Sequence, residues 1–74
     1  MIHLTRTDPA RNIARFYAMT LQPTLFGEWA LLREWGRIGS AGQLVSGHFT
    51  SEQEATRAMA DHLKAKLSKG YQAR

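Results

Sequence analysis

The rhythm of apolar and polar positions changes once along this chain, near residue 51. Before it, short apolar runs are punctuated by turn-forming residues. From Asn12 to Gln22 the residues Phe16, Tyr17, Met19 and Leu21 favour a strand, and Pro23, which has no amide hydrogen to give a ladder, ends it. Leu21 to Trp29 then reads as a connecting loop in which Gly27 is free to take a positive φ. A second strand is expected from about Glu28 to Arg37 and a third from about Gln43 to Phe49, with Val45 and Phe49 on one face and Ser46 and His48 on the other. Upstream, Ile2 and Leu4 suggest a short extended lead-in closed by the turn-like Thr7–Ala10. Such short connections favour an antiparallel meander.

From residue 51 the period becomes helical. Ser51 followed by Glu54 is a capping-box pattern, in which the hydroxyl accepts from the Glu54 amide while the carboxylate reaches back. Met59, Leu63 and Leu67, with Ala55, Thr56 and Ala60, form one apolar face, and Arg57, Asp61, Lys64 and Ser68 the other. Gly70 is placed to end the helix. The expected organisation is one domain: a lead-in over 1–11, strands within 12–50, a helix over 51–69 and a tail over 70–74. Its class is α+β, a small antiparallel sheet packed against one C-terminal helix.

Length and charge sharpen this picture. Seventy-four residues supply one small core. The formal net charge is +4, and its position matters. Up to Thr56, Arg6, Arg11, Arg15, Arg33 and Arg37 balance Asp8, Glu28, Glu34, Glu52 and Glu54. Beyond it stand five cations, Arg57, Lys64, Lys66, Lys69 and Arg74, against Asp61 alone, so the whole excess lies there. That asymmetry points to an anionic partner, nucleic acid before membrane. A helix end whose lysines complement the macrodipole is the structural alternative. There is no cysteine, no apolar run near the ~18 residues a bilayer needs, and no signal-like apolar stretch at the start, so a cytoplasmic protein is expected.

Enzyme chemistry finds little support. His3, His48 and His62 lack metal-ligand spacing, and His62 reads as a packing residue. No nucleophile elbow is present, and Glu52 and Glu54 are helix-start carboxylates first. Gly36, Gly39 and Gly42 do not form a phosphate loop, because no Gly-Lys-Ser/Thr ending follows and a strand, not a helix, comes next. No cofactor or metal is implied.

The remaining signal is Arg33, Trp35 and Arg37. On a regular strand all three share a face, so an aromatic plane stands between two guanidiniums. Such a face suits nucleic acid, whose bases or sugars stack while the forks hold phosphates. Equally, Trp35 can be core, with Trp29 and Leu31 on the same parity and the arginine stems alongside.

The run EWGRIGSAGQ (Glu34 to Gln43), followed by FTSEQEA (Phe49 to Ala55) and KAKLSKGY (Lys64 to Tyr71), resembles the WGR domain, over most of the chain from about Phe16 to Tyr71. WGR domains occur in poly(ADP-ribose) polymerases and as short stand-alone bacterial proteins, and this chain looks like the latter. In the polymerases the domain grips DNA at a strand break; the resemblance implies here an antiparallel sheet with a helix and a non-catalytic nucleic-acid-binding module, with DNA at ends, nicks or along the duplex backbone as its ligand. It implies that Trp35 stacks on a terminal nucleotide, that Gly36 gives backbone freedom beside the ring, and that Arg37 holds the strand. Arg33 would assist at the phosphates, and Lys66, Lys69 and Arg74 would widen the basic field. The competing reading is a protein-interaction module that docks a partner on the Trp35 surface.

Overall fold

The computed structural model describes residues 1–73; Arg74, assigned above to the basic field, lies outside the described residues. Five strands, β1 (Ile2–Asp8), β2 (Ile13–Pro23), β3 (Trp29–Arg37), β4 (Gln43–Phe49) and β5 (Gln72–Ala73), form one sheet in the order β4-β3-β2-β1-β5. Every pairing is antiparallel, and the helix α1 (Glu52–Ser68) lies across one face, so the expected α+β class holds.

The N-terminal segment is more than a lead-in. It pairs with β2 along its whole length, from Ile2 opposite Met19 to Asp8 opposite Ile13, and Leu4 is fully buried. A 3-10 turn, Pro9–Arg11, joins β1 to β2, and Asn12 closes it in the left-handed region at φ 56°, which asparagine tolerates well. The tail is structured too. Its β5 residues pair with Leu4 and Thr5 of β1.

The helix begins where the capping pattern places it. The Ser51 hydroxyl accepts from the Glu54 amide at 3.2 Å, but the Glu54 carboxylate accepts from the Thr50 hydroxyl at 3.0 Å instead of reaching back to Ser51. At the far end Gly70, at φ 95°, allows a Schellman closure: the Gly70 amide donates to the Leu67 carbonyl and the Tyr71 amide to Lys66, each at 3.2 Å.

The core lies between helix and sheet. Leu4, Tyr17, Met19, Leu31 and Tyr71 are buried, and Ala58, Met59 and Leu63 pack against them. Ala55 is fully buried on the same stripe, whereas Leu67, Thr56 and Ala60, expected on the apolar face, are exposed. The sheet-facing positions are therefore 55, 58, 59, 62, 63 and, one turn on, Lys66. Trp29, on the same parity as Leu31 and Trp35, is half-buried at the end of β3, opposite Pro23 on one side and Phe49 on the other.

Candidate nucleic-acid interface

Register assembles the site. On β3 the residues Arg33, Trp35 and Arg37 face the helix side, with Met19, Tyr17 and Arg15 opposite them on β2. Arg15 in turn stands opposite Arg6 of β1, so Arg6, Arg15 and Arg37 form a row across three adjacent strands. Like charges directly opposite one another are destabilising in a sheet. The negative end of the α1 dipole, which terminates above this row, offsets part of that repulsion. No carboxylate does: the one ion pair among the described residues joins Arg11 to Asp8 at 3.7 Å, and both side chains stand well out in solvent.

Beside the row lies an open cavity of about 510 Å³, lined by Arg15, Trp35, Gly36, Arg37, Lys66 and Tyr71. Three cations and two aromatic rings therefore share one concavity. Lys66 enters it from above because it belongs to the sheet-facing stripe. Its Nζ sits 4.7 Å from the Tyr17 ring centre and 5.5 Å from that of Tyr71, within reach of attraction by both ring faces. Burial, with Lys69, Arg33 and Arg15 nearby, lowers its pKa from the ordinary lysine value.

Trp35 is half-buried, not free-standing. Tyr17 stacks on it at 6.0 Å between ring centres, and the Arg33 guanidinium lies 5.5 Å from its ring. Arg33 also donates to the Tyr17 hydroxyl at 3.4 Å, and it does not line the cavity. Together with burial, it holds the His62 imidazole below its ordinary pKa; Lys66 acts in the same direction and Asp61 against it. Arg37 is exposed and anchored: its Nη1 donates to the Asn12 carbonyl at 3.3 Å and its Nη2 to Asn12 Oδ1 at 3.2 Å. The left-handed turn before β2 thus orients the motif arginine, whose remaining N–H donors stay available to a ligand.

Gly36 has a reason different from backbone freedom, since it is not among the positive-φ residues. A Cβ built on it would come within 2.7 Å of the Gly42 Cα, and a Cβ on Gly42 within 2.5 Å of the Trp35 carbonyl oxygen and 2.9 Å of the Phe16 ring. The two glycines let the β3–β4 hairpin cross over Phe16, which fixes the backbone that carries Trp35 and Arg37.

Of the residues singled out in the sequence, Trp35, Gly36, Arg37 and Lys66 come together at the cavity. Lys69 is the exposed C-cap of α1, outside the lining, and Arg33 sits behind Trp35. Sequence reasoning missed Arg15, Tyr71, Asn12 and Arg6. Arg15 needs the β2–β3 register, which no local pattern prints. Tyr71 needs the Schellman turn that folds it back on the core, and Gly70 was the available hint.

The uncharacterized protein y4dW of Sinorhizobium fredii is 48% identical over 73 residues, covering 99% of this chain. The chain spans 36% of that relative's length. No solved structure gives a significant match. The family model of the WGR domain matches residues 1–74, and the chain belongs to the WGR domain family.

Proposed function

We propose that this domain is a non-catalytic nucleic-acid-binding module, with DNA as its ligand, and that the cavity beside Trp35 is where it holds the phosphate backbone. One observation carries the reading: Arg15, Arg37 and Lys66 converge with Trp35 and Tyr71 on a single concavity to which the described residues contribute no carboxylate. Cations gathered without counter-charge raise the local field, and a polyanion relieves their mutual repulsion as it binds. Arg15 and Arg37 present forks suited to phosphate oxygens, Lys66 supplies a point charge, and the two rings supply apolar surface for sugar or base. Arg33 supports Trp35 from behind, while Lys69 contributes a diffuse field from the helix end. DNA as the ligand, at ends, nicks or along the duplex backbone, is taken from the WGR resemblance.

No helix among the described residues is long and apolar enough to cross a membrane, and none of their His, Asp and Glu side chains cluster as a metal site. The test is a titration of labelled protein with blunt duplex, nicked duplex and single strand, following the amide shifts of Arg15, Trp35, Gly36 and Tyr71. The reading expects those resonances to move first and most. Shifts confined to other surfaces, or none in low salt, would transfer the case to a protein partner on the Trp35 face.

A further inference from the structure

The lysines of the chain, Lys64, Lys66 and Lys69, stand together at the end of one helix and meet different surroundings. Lys64 and Lys69 are exposed, and neither lines the cavity. Lys66 is half-buried and lines the cavity beside Arg15 and Arg37, with its Nζ over the Tyr17 and Tyr71 rings at 4.7 and 5.5 Å. Its backbone is fixed as well. The Lys66 carbonyl accepts from the Lys69 amide at 3.0 Å and from the Tyr71 amide at 3.2 Å. No carboxylate among the described residues pairs with its ammonium.

An amine held among guanidiniums differs chemically from a solvated one. Burial, and then the charges of Lys69, Arg33 and Arg15, lower its pKa, so it is uncharged and nucleophilic for more of the time. The ring faces attract the ammonium and oppose that shift, while keeping Nζ inside the cavity. The forks of Arg15 and Arg37 meanwhile gather anions, phosphate above all. A reagent that carries phosphate next to an electrophilic carbon is therefore concentrated where the amine stands. An acyl phosphate has that form. One bridging oxygen separates its carbonyl carbon from phosphorus, and its leaving group is phosphate itself.

We propose that Lys66 is a site of acylation by acyl phosphates, which Arg15 and Arg37 hold by the phosphate group. The neutral amine attacks the carbonyl carbon and forms a C–N bond. The C–O bond to phosphate breaks, and its electron pair leaves with the phosphate. The nitrogen gives its extra proton to water, and an amide remains. Nothing is oxidised or reduced. The two arginines stabilise the charge that grows on the departing phosphate, as fixed donors do in a transition state. The product is neutral, so the cavity loses one of its cations and the hold of the rings on Lys66. If the cavity binds nucleic acid as proposed above, the acylated domain binds it more weakly; the acylation itself does not rest on that reading.

The test uses acetyl phosphate on the protein without nucleic acid, which keeps its outcome separate from the binding reading. Peptide mass mapping over time should show Lys66 acetylated about 10-fold or more faster than Lys64 and Lys69. Inorganic phosphate should slow Lys66 towards the rate of the other two lysines and leave theirs unchanged. The acetyl ester of N-hydroxysuccinimide, a donor without phosphate, should largely lose the preference. Arg15→Gln should slow Lys66 by about 3- to 10-fold with far-UV circular dichroism unchanged, and Arg37→Gln takes its place if that variant does not fold. Equal rates at the three lysines, a Lys66 rate that phosphate does not slow, an equal preference from the phosphate-free ester, or a folded arginine variant that acetylates like the parent overturns the proposal.

Discussion

Trp29 and Trp35 stand on one face of one strand, six residues apart, and both are half-buried. Depth does not separate them; their neighbours do. Trp29 is flanked across the sheet by Pro23 and Phe49, at the end of β3 nearest the start of α1. Trp35 is flanked by Tyr17 and Gln43, carries Arg33 over its ring, and opens on a cavity ringed by Arg15, Arg37 and Lys66. In a domain this small neither ring can be spared from packing. On the proposed reading of Trp35, a binding aromatic need not be free-standing. It can brace the core on one side and serve a ligand on the other, provided the residues next to it are chemically committed.

The comparison can be broken first at the backbone that holds the Trp35 end. Gly42→Ala forces a Cβ against the Trp35 carbonyl and the Phe16 ring at φ 74°, whereas Gly39→Ala meets only open space at φ 94°. Gly42→Ala should destabilise by about 3 kcal/mol or more, through overpacking and torsional strain together, and Gly39→Ala by about 1 kcal/mol, through strain alone. Urea unfolding midpoints check this, and equal losses would show that the hairpin crossing does not constrain Trp35.

The two rings come next. Trp29→Ala and Trp35→Ala should each cost roughly 1–3 kcal/mol of stability, as half-buried aromatics do. Only Trp35→Ala should also weaken DNA binding, by about 1–3 kcal/mol. Fluorescence anisotropy on the folded variants decides, and a Trp29→Ala protein that loses as much affinity would erase the distinction.

The arginines sharpen it further. Arg15→Ala and Arg37→Ala should each lower affinity by about 1–3 kcal/mol without destabilising the fold, because they relieve a like-charged row that no carboxylate among the described residues pairs with. Asn12→Ala should produce a smaller loss of the same kind by freeing Arg37 from its two hydrogen bonds. Unchanged affinity in Arg15→Ala would remove β2 from the site.

The smallest effect is a pH dependence. His62 has a folded-state pKa below its unfolded value, so the unfolded chain binds more protons in the interval between the two. Its unfavourable contribution is therefore absent above the ordinary imidazole value of about 6.5 and grows as pH falls through that value towards the folded-state one. His62→Gln should flatten this part of the stability profile, read by thermal melts between about pH 5 and 8. A variant that follows the parent across that range would show that burial beside Arg33 does not govern the imidazole.

Much of this architecture was legible in the residues. Ser51 and Gly70 marked the ends of the helix, and strand alternation placed Arg33, Trp35 and Arg37 on one face. What escaped was set by partners distant in sequence. Residues 1–11 carry too few apolar positions to announce a long strand, yet pairing with β2 and β5 makes one of Ile2–Asp8. Leu67 looked like the continuation of the Met59–Leu63 face, but the last turn passes over Tyr17 and Tyr71, whose rings accept the Lys66 ammonium, and Leu67 is left 47% exposed. Lys66 thereby changes from one of several helix-end cations to a wall of the cavity, a distinction that charge counting cannot make. Arg15 joined the site only through its register with Arg37.

The most direct test of the cationic cavity is the salt dependence of DNA affinity for the parent, Lys66→Gln and Lys69→Gln. The two lysines lie three residues apart on one helix end, yet one enters the cavity and the other faces solvent. The parent should show log K falling with log salt at a slope of about −2 to −4, as for roughly two to four neutralised phosphates. Lys66→Gln should flatten that slope by about one unit and lower affinity at low salt, while Lys69→Gln should change the slope by well under one unit. A salt-independent parent, or two lysine variants with the same slope and affinity, would contradict the account.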